Sequence, residues 1–399
     1  VVAALTRRFG PRRLEDVENA AQEAYLRALE RWRDGAIPAS PERWLVQVAH
    51  HALVDALRRA RRLEAVDEAD APVEPPTLEV DDELRLLFLC CHPVLPRAAQ
   101  VALTLHVACG LSARQIARAF LCDERTLAQR LVRARARLRE EGPRFELPDD
   151  PVLPARLEQV LEVLYLSFTE GYHPTEGDEA MDPAICGEAL RLLRLLTGSP
   201  RTATPSAFAL RALCCLHLAR APARLADDGS LLLLPEQDRA RWDGALVAEG
   251  MAALARAGQG RALTRYHVEA GIAACHAAAP AWASTDWPRI LELYDALREL
   301  APSLVVDVSR AFAVAMVRGA RAGLDELDAI PEREVLARYP WALATYADLH
   351  ASLGELDQAR RYLDLALAQQ SAPAQQALLR RKRAALGGRP SRSPWREDG

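Results

Sequence analysis

Lysine is nearly missing from this chain of 399 residues: Lys382 is the only one, and every other cationic side chain that is not histidine is arginine. Lys382 follows Arg381, so there is no Gly-Lys-Ser/Thr phosphate-binding loop. None of the nine histidines is followed by glutamate and no Gly-x-Ser-x-Gly occurs, which removes two common hydrolase signatures. The eight cysteines are scattered at 90, 91, 109, 122, 186, 214, 215 and 275, never as Cys-x-x-Cys. Neither a disulfide framework nor a common zinc pattern is expected, and a reducing cytoplasm is the expected location. No apolar run of about 18 residues occurs, and residues 1–10 lack a signal-peptide pattern, so no membrane partner is expected. Strand signals are scarce.

Apolar residues make up 50% of the chain and charged residues 27%, enough to bury the cores of two or three domains. The net charge of -4 hides a strong asymmetry. Residues 1–62 carry 12 Arg against 8 acids; residues 63–83 carry 9 acids and no base; residues 84–140 carry 10 Arg against 3 acids. Two small basic blocks joined by an acidic tether with Pro72, Pro75 and Pro76 point to two nucleic-acid-binding modules. Two helical domains with solvated arginine faces fit the charge pattern equally well. A second break falls near 141–154, where Gly142, Pro143, Pro148, Pro151 and Pro154 interrupt the helical periodicity. Beyond it an Ala/Leu/Arg-rich helical pattern runs to about 385, and 387–399 reads as a disordered tail.

The strongest local pattern lies between Leu111 and Arg139: helix, tight turn, longer helix. Ser112 is placed to cap the first helix, which should run to about Phe120, and Asp123 to cap the second. Leu127, Leu131, Ala134 and Leu138 recur at spacings of 4, 3 and 4 and form one buried stripe. Arg125, Thr126, Gln129, Arg130, Arg133 and Arg137 fall off that stripe. Such a helix can enter a major groove, Arg reading guanine and Gln adenine, with Arg135 and Arg139 expected on phosphates.

Here a resemblance becomes specific. Gln115-Ile116-Ala117-Arg118-Ala119-Phe120, Asp123-Glu124-Arg125-Thr126-Leu127 and Arg133-Ala134-Arg135-Ala136-Arg137-Leu138-Arg139 together resemble region 4 of extracytoplasmic-function (ECF) sigma factors, which binds the −35 promoter element. Leu121 stands where many members have glycine. The segment Leu14–Tyr25 is similar to the region 2 helix that docks on core RNA polymerase, which assigns Glu18, Asn19, Gln22 and Glu23 to polymerase binding. Asn19 replaces the usual Asp. On spacing alone, Glu18, Gln22 and Glu23 share a polar face, and Ala21, Ala24 and Leu29 supply a buried one. The run Trp44–Arg59 resembles the helix that reads the −10 element, with His50-His51 where Arg-Asn is common. The resemblance assigns His50, His51, Arg58 and Arg59 to DNA, with Arg61 and Arg62 able to hold phosphates; Trp44 is expected in the core. The chain starts at Val1, without Met, and the family would place a further helix start before it.

ECF sigma factors normally end after region 4, yet this chain continues. Leu164–Tyr172, Gln237–Asp243, Ile272–Ala277, Thr285–Trp287 and Leu293–Leu297 resemble a subgroup with a tetratricopeptide-like C-terminal extension. One repeat is legible by spacing: Leu343, Tyr346, Ala347, Leu353, Gly354, Ala359, Leu363 and Ala366. Stacked helical pairs make a concave surface, for which a protein or peptide partner is expected. Cys90-Cys91-His92, Cys214-Cys215-x-His217 and the cluster Glu170, His173, Glu176, Asp178 and Glu179 suggest metal or acid–base chemistry. Adjacent helical cysteines point about 100° apart, so buried structural cysteine is the expected reading, and capping carboxylates that of the cluster.

The sequence thus predicts an all-α protein: region 2 over 1–62, an acidic linker over 63–83, a region 4 helix-turn-helix over 84–141, and a larger helical domain over 150–386. The resemblance implies an ECF-type sigma factor that partners core polymerase and promoter DNA, without catalytic residues, cofactor or metal. The C-terminal domain is expected to regulate it in cis, its acidic charge packing on the basic blocks. The alternative is a helix-turn-helix regulator that acts without polymerase; a third reading makes the C-terminal part an enzyme.

Overall fold

The computed structural model describes residues 1–33, 37–64, 75–77, 79, 81–119, 122–172, 181–226, 230–369 and 373–386, with side chains from 61 to 64 and at 118 and 119 left aside. Most of the tether, the 387–399 tail, Phe120, Leu121, His173, Glu176, Asp178 and Glu179 lie outside the described residues. Within them the all-α expectation holds: regular structure is helical, and the one β-bridge pairs Leu225 with Leu231. The chain divides into two compact units, Val1–Ser167 and Phe168–Gly399.

The first unit holds α1 (Val2–Phe9), α2 (Leu14–Arg31), α3 (Pro41–Glu64), α4 (Asp82–Cys90), α5 (Arg97–Leu103), α6 (Ala113–Ala119), α7 (Glu124–Glu141) and most of α8 (Leu153–Tyr172). Helices α1 to α3 close around Leu5, Val17, Ala20, Ala24, Ala49, Ala52 and Leu53, where small alanines let the helices approach closely. Ala21 and Ala24 are buried as the spacing predicts, but Leu29 is 68% exposed, and Tyr25 and Leu26 are exposed beside it. Trp44 is only half-buried, its ring 5.2 Å from that of Trp32.

Helix α5 runs into a π-helical turn, Thr104–Ala108, before α6 begins. Helix α7 packs on α5 and α6 with Leu127, Leu131, Ala134 and Leu138 all buried, the stripe read from spacing. Its C-terminus stops at Gly142 in the left-handed region, φ 62°. The helices before and after the acidic tether belong to one body: α1 packs on α4, and the short turn Pro11–Arg13 packs on α7. The first half of α8 is tied to the same body. Arg97 donates to the Gln159 carbonyl at 3.0 Å and pairs with Glu162, and Arg156 donates to the Phe88 carbonyl at 2.8 Å.

The second unit continues through α9 (Pro183–Gly198), α10 (Pro205–Leu218), α11 (Gly244–Ala257), α12 (Arg265–Ala278), α13 (Trp287–Leu300), α14 (Leu304–Arg318), α15 (Ala320–Asp328), α16 (Arg333–Leu336), α17 (Pro340–Ser352), α18 (Leu356–Leu367) and α19 (Pro373–Ala385). Side chains of Asp182, Asp243, Asp286 and Ser303 cap α9, α11, α13 and α14, satisfying backbone N–H groups that the helix leaves open. Consecutive helices pair as hairpins, among them α13 with α14, α14 with α15 and α17 with α18. Gly323 permits one close crossing: a Cβ there would lie 2.5 Å from that of Ala315. In the α17–α18 pair, Gly354 turns the chain at φ 80°, and of the repeat positions named above Leu343, Tyr346, Ala347, Ala359, Leu363 and Ala366 are buried while Leu353 and Gly354 at the turn are exposed.

Candidate nucleic-acid interface

The helix-turn-helix is built as its sequence dictates. The Ser112 N–H donates to Gln115 Oε1 at 2.9 Å and the Gln115 N–H to Ser112 Oγ at 3.2 Å, a reciprocal cap that starts α6. Asp123 occupies the N-cap position of α7, but its side chain makes no capping hydrogen bond. With the leucine stripe turned inward, Arg125, Thr126, Gln129, Arg133 and Arg137 are exposed and Arg130 is half-buried. Thr126, Gln129, Arg130, Arg133 and Arg137 line one side of an open groove, with Pro96 and Ala99 of α5 on the other. Five of the six predicted side chains of α7 thus line one groove, which is rich in guanidinium donors and has no carboxylate in its lining, while Arg125 is exposed outside that lining. Such a surface can donate bidentately to base edges and neutralise phosphates.

Arg135 and Arg139 depart from the expectation that they hold phosphates. They project from another side of α7 and face region 2. Arg135 Nε donates to Glu18 Oε1 at 3.1 Å, and its Nη2 pairs with Glu18 Oε2; Arg139 Nη2 lies 3.1 Å from Glu15 Oε2. Glu18 is accordingly 7% exposed, separated from the polar face that it was expected to share with Gln22 and Glu23. Asn19, Gln22 and Glu23 do face solvent, next to Tyr25, Leu26 and Leu29. Glu23 pairs with Arg27, one turn on.

On α3 the two histidines separate. His51 is exposed, whereas His50 is 2% exposed, and burial, then His51, then Arg8 lower its pKa. Arg59 is exposed and Arg58 half-buried; the side chains of Arg61 and Arg62 lie outside the described residues. A second bond between the blocks, unforeseen from sequence, lies at the far end of the tether. Arg7 of α1 meets Glu79 at 2.5 Å and Asp82 at 2.9 Å, and donates to the Thr77 carbonyl at 2.6 Å. The only sequence signal for it was the acidic run itself.

In the second unit the stretches singled out by resemblance converge. Arg224, 5% exposed, donates to the Tyr172 carbonyl at 2.8 Å and lies 4.0 Å from the centre of its ring. Arg220 and Arg239 flank Trp242 at 5.7 and 5.1 Å. Arg239 also donates to the carbonyls of His276 and Ala279, and His276 packs against Trp282 and Trp287. Burial, then the charges of Arg220 and Arg239, push the His276 pKa down to about 3. These arginines stack on rings and hold main-chain carbonyls, so the cluster reads as a structural knot. Cys90, Cys91, Cys214 and Cys215 are buried, and burial raises their thiol pKa values, that of Cys91 to about 11 and of Cys215 to about 12. No three metal-ligating side chains come together among the described residues, and no helix there is long and apolar enough to cross a membrane.

Comparison with known proteins gives three family matches along the chain. Residues 1–63 match Sigma-70 region 2, residues 85–138 match Sigma-70 region 4, and residues 156–258 match a family of unknown function, DUF6596. An uncharacterised protein of Rhizobium meliloti (strain 1021) is 37% identical over 402 residues, covering 98% of this chain and 94% of that protein. No solved structure matches. With Sigma-70 region 2 and Sigma-70 region 4 both matched in one chain, this protein belongs to the sigma-70 family of factors that recognise promoters with RNA polymerase.

Proposed function

We propose that the chain is a sigma factor of the ECF type whose second unit, a tetratricopeptide-like helical array, regulates it in cis. The observation that carries the sigma reading is the arginine- and glutamine-bearing edge of α7, open to solvent and backed by a buried leucine stripe. Arg125, Thr126, Gln129, Arg130, Arg133 and Arg137 read or hold the −35 element. His51, Arg58 and Arg59 on α3 hold the −10 element, with His50 supporting that helix from inside. Asn19, Gln22 and Glu23, with the exposed Tyr25, Leu26 and Leu29, offer a mixed polar and apolar face for core polymerase. The ECF assignment rests on the brevity of the sigma part, in which region 4 follows region 2 after a short tether.

Reconstitution with core enzyme tests the reading. Promoter-specific run-off transcription that requires this protein is the expected result. A protein that binds duplex DNA alone and never supports initiation is instead a helix-turn-helix regulator, and the sigma reading fails.

A further inference from the structure

The knot of arginines and tryptophans in the second unit contains two cations that nothing described there neutralises. Arg220, just past α10, donates through Nε to Gln237 Oε1 at 3.3 Å. Arg239, in the turn Arg239–Arg241, donates to the His276 and Ala279 carbonyls and to Thr285 Oγ1 at 3.5 Å. Neither pairs with a carboxylate among the described residues, and no carboxylate stands among the charges that act on them. Burial lowers the pKa of both guanidinium groups; Tyr172 opposes that at Arg220 and Arg224 adds to it, and at Arg239 the charge of Arg220 adds to it. Nearby acids are engaged otherwise: Asp238, Asp243 and Asp286 accept hydrogen bonds from backbone N–H groups of the helical turns they cap. Other half-buried arginines of this unit are answered, Arg211 by Glu249 at 2.8 Å and Arg310 by Asp295 at 2.6 Å. A charge withdrawn from water without a counter-charge is costly.

The same knot leaves hydrogen-bond donors unused. The Nε1 atoms of Trp242, Trp282 and Trp287 are buried and have no partner among the described residues, nor has His276 Nδ1. Trp287 as a whole is 8% exposed. An indole N–H only donates, as does a guanidinium. The partners these groups lack are therefore acceptors, and the charge they lack is negative. A buried water offers acceptors without charge, whereas an oxyanion offers both. The groups belong to one cluster. Near the end of α12, the His276 ring lies 6.1 Å from that of Trp282 and 5.4 Å from that of Trp287, which opens α13. Arg239 links them to Trp242, 5.1 Å from its ring centre. Arg220, Arg239, Trp242, His276 and Trp282 are each half-buried, so solvent reaches the edge of the cluster. Aromatic walls with a few donors among them suit a small organic ligand.

We propose that the second unit binds a small organic oxyanion, a carboxylate or a phosphate ester, through Arg220, Arg239 and the indole N–H groups around His276. The guanidinium groups supply charge-assisted hydrogen bonds; the indoles add neutral donors and an apolar surface. Because these residues stand at the ends of α10 and α12, at the start of α13 and in the turns between, an occupant ties three helices together. A second unit that regulates in cis gains by this a solute to answer to. The binding itself rests on neither the sigma reading nor regulation in cis, and it is measured without polymerase.

The full chain is titrated with inorganic phosphate and with citrate, each against sodium chloride of the same ionic strength. Tryptophan fluorescence should change saturably with an oxyanion and not with chloride. At about a hundredfold excess over the dissociation constant, the unfolding midpoint should rise by roughly 5–10 °C. Arg220→Gln and Arg239→Gln should each weaken binding about tenfold, and Trp287→Phe, which keeps a ring but removes the N–H, about threefold. Arg241→Gln, exposed on the same turn, should bind as the parent does. Preference for phosphate makes the ligand a phosphate ester and preference for citrate a carboxylate; either outcome carries the proposal. No saturable response in the folded parent overturns it, as does binding that persists unchanged in folded Arg220→Gln and Arg239→Gln proteins. Should both of those fail to fold, Trp287→Phe decides in their place, and undiminished binding there overturns the site.

Discussion

The imidazole of His50 packs against Phe9 of α1, ring centroids 5.7 Å apart, and both its nitrogens are buried with no hydrogen-bond partner among the described residues. Its neighbour His51, next along α3, points to solvent. One residue of offset thus divides a pair that the sequence offers as a single motif. The buried ring is a neutral packing element; the exposed one is free to meet a nucleotide.

The division gives a first prediction. His50→Leu should keep −10 recognition, because an apolar side chain of similar bulk fills the same space without stranding ring nitrogens. His51→Ala should weaken promoter opening while leaving the unfolding midpoint near that of the parent. Permanganate footprinting of the opened region beside thermal unfolding checks both. If His50→Leu abolishes opening in a stable protein, the buried ring has a DNA role that its position conceals.

Within α7, Arg125→Ala or Gln129→Ala should relax sequence preference at one or two positions of the −35 element, costing about 1–3 kcal/mol on the preferred site. Arg133→Ala or Arg137→Ala should weaken all promoters alike and flatten the salt dependence by about one counterion. Competition binding on a randomised −35 library, repeated at two salt concentrations, separates base readout from phosphate contact. Uniform losses for Arg125→Ala and Gln129→Ala would show that the base-reading edge lies elsewhere on the helix.

These residues also mark where sequence reading succeeds and where it stops. The stripe of Leu127, Leu131, Ala134 and Leu138 was legible because helical periodicity is local, and the open edge of α7 follows from it by subtraction. The Ser112–Gln115 cap was half legible, since Ser112 was placed as the cap without its return bond from Gln115. Leu29 was misplaced because a lone leucine at a compatible spacing looks buried when its outward neighbours Tyr25 and Leu26 are not weighed with it. The Glu18–Arg135 pair joins residues 117 apart in sequence, and no local pattern reports such a separation. Arginine and glutamate on helix surfaces ordinarily read as solvated, so a pair that buries itself by docking two domains is invisible until both are placed.

His276 yields a pH prediction in the second unit. Burial, then Arg220 and Arg239, depress its folded pKa to about 3, whereas an unfolded histidine titrates near 6.5. The unfolded chain therefore takes up the proton first, and this site costs stability progressively as pH falls from about 6.5 toward 3. After discounting for partial exposure, the loss should be about 2–4 kcal/mol. His276→Gln should flatten that part of the pH profile in urea unfolding monitored by tryptophan fluorescence. An equally steep slope in the variant would assign the acid sensitivity to other groups.

The last prediction concerns the second unit as a regulator. Because the boundary between units falls inside α8, the place where the chain is shortened matters. A protein ending at Pro148 loses Arg156, Gln159 and Glu162, hence the bonds to Phe88 and Arg97, along with the buried Leu157, Val160 and Leu161. It should unfold at a lower temperature than one ending at Ser167, which keeps them. The longer truncate is therefore the proper comparison for activity. A covalently attached inhibitory domain acts at high effective concentration, so weak contacts suffice and its removal should be felt most where core is scarce. Run-off transcription at limiting core polymerase should rise when the chain ends at Ser167, and high salt should narrow the gap if charge holds the mask in place. A fall in transcription, with the truncate folded by circular dichroism, makes the second unit a positive element and refutes inhibition in cis.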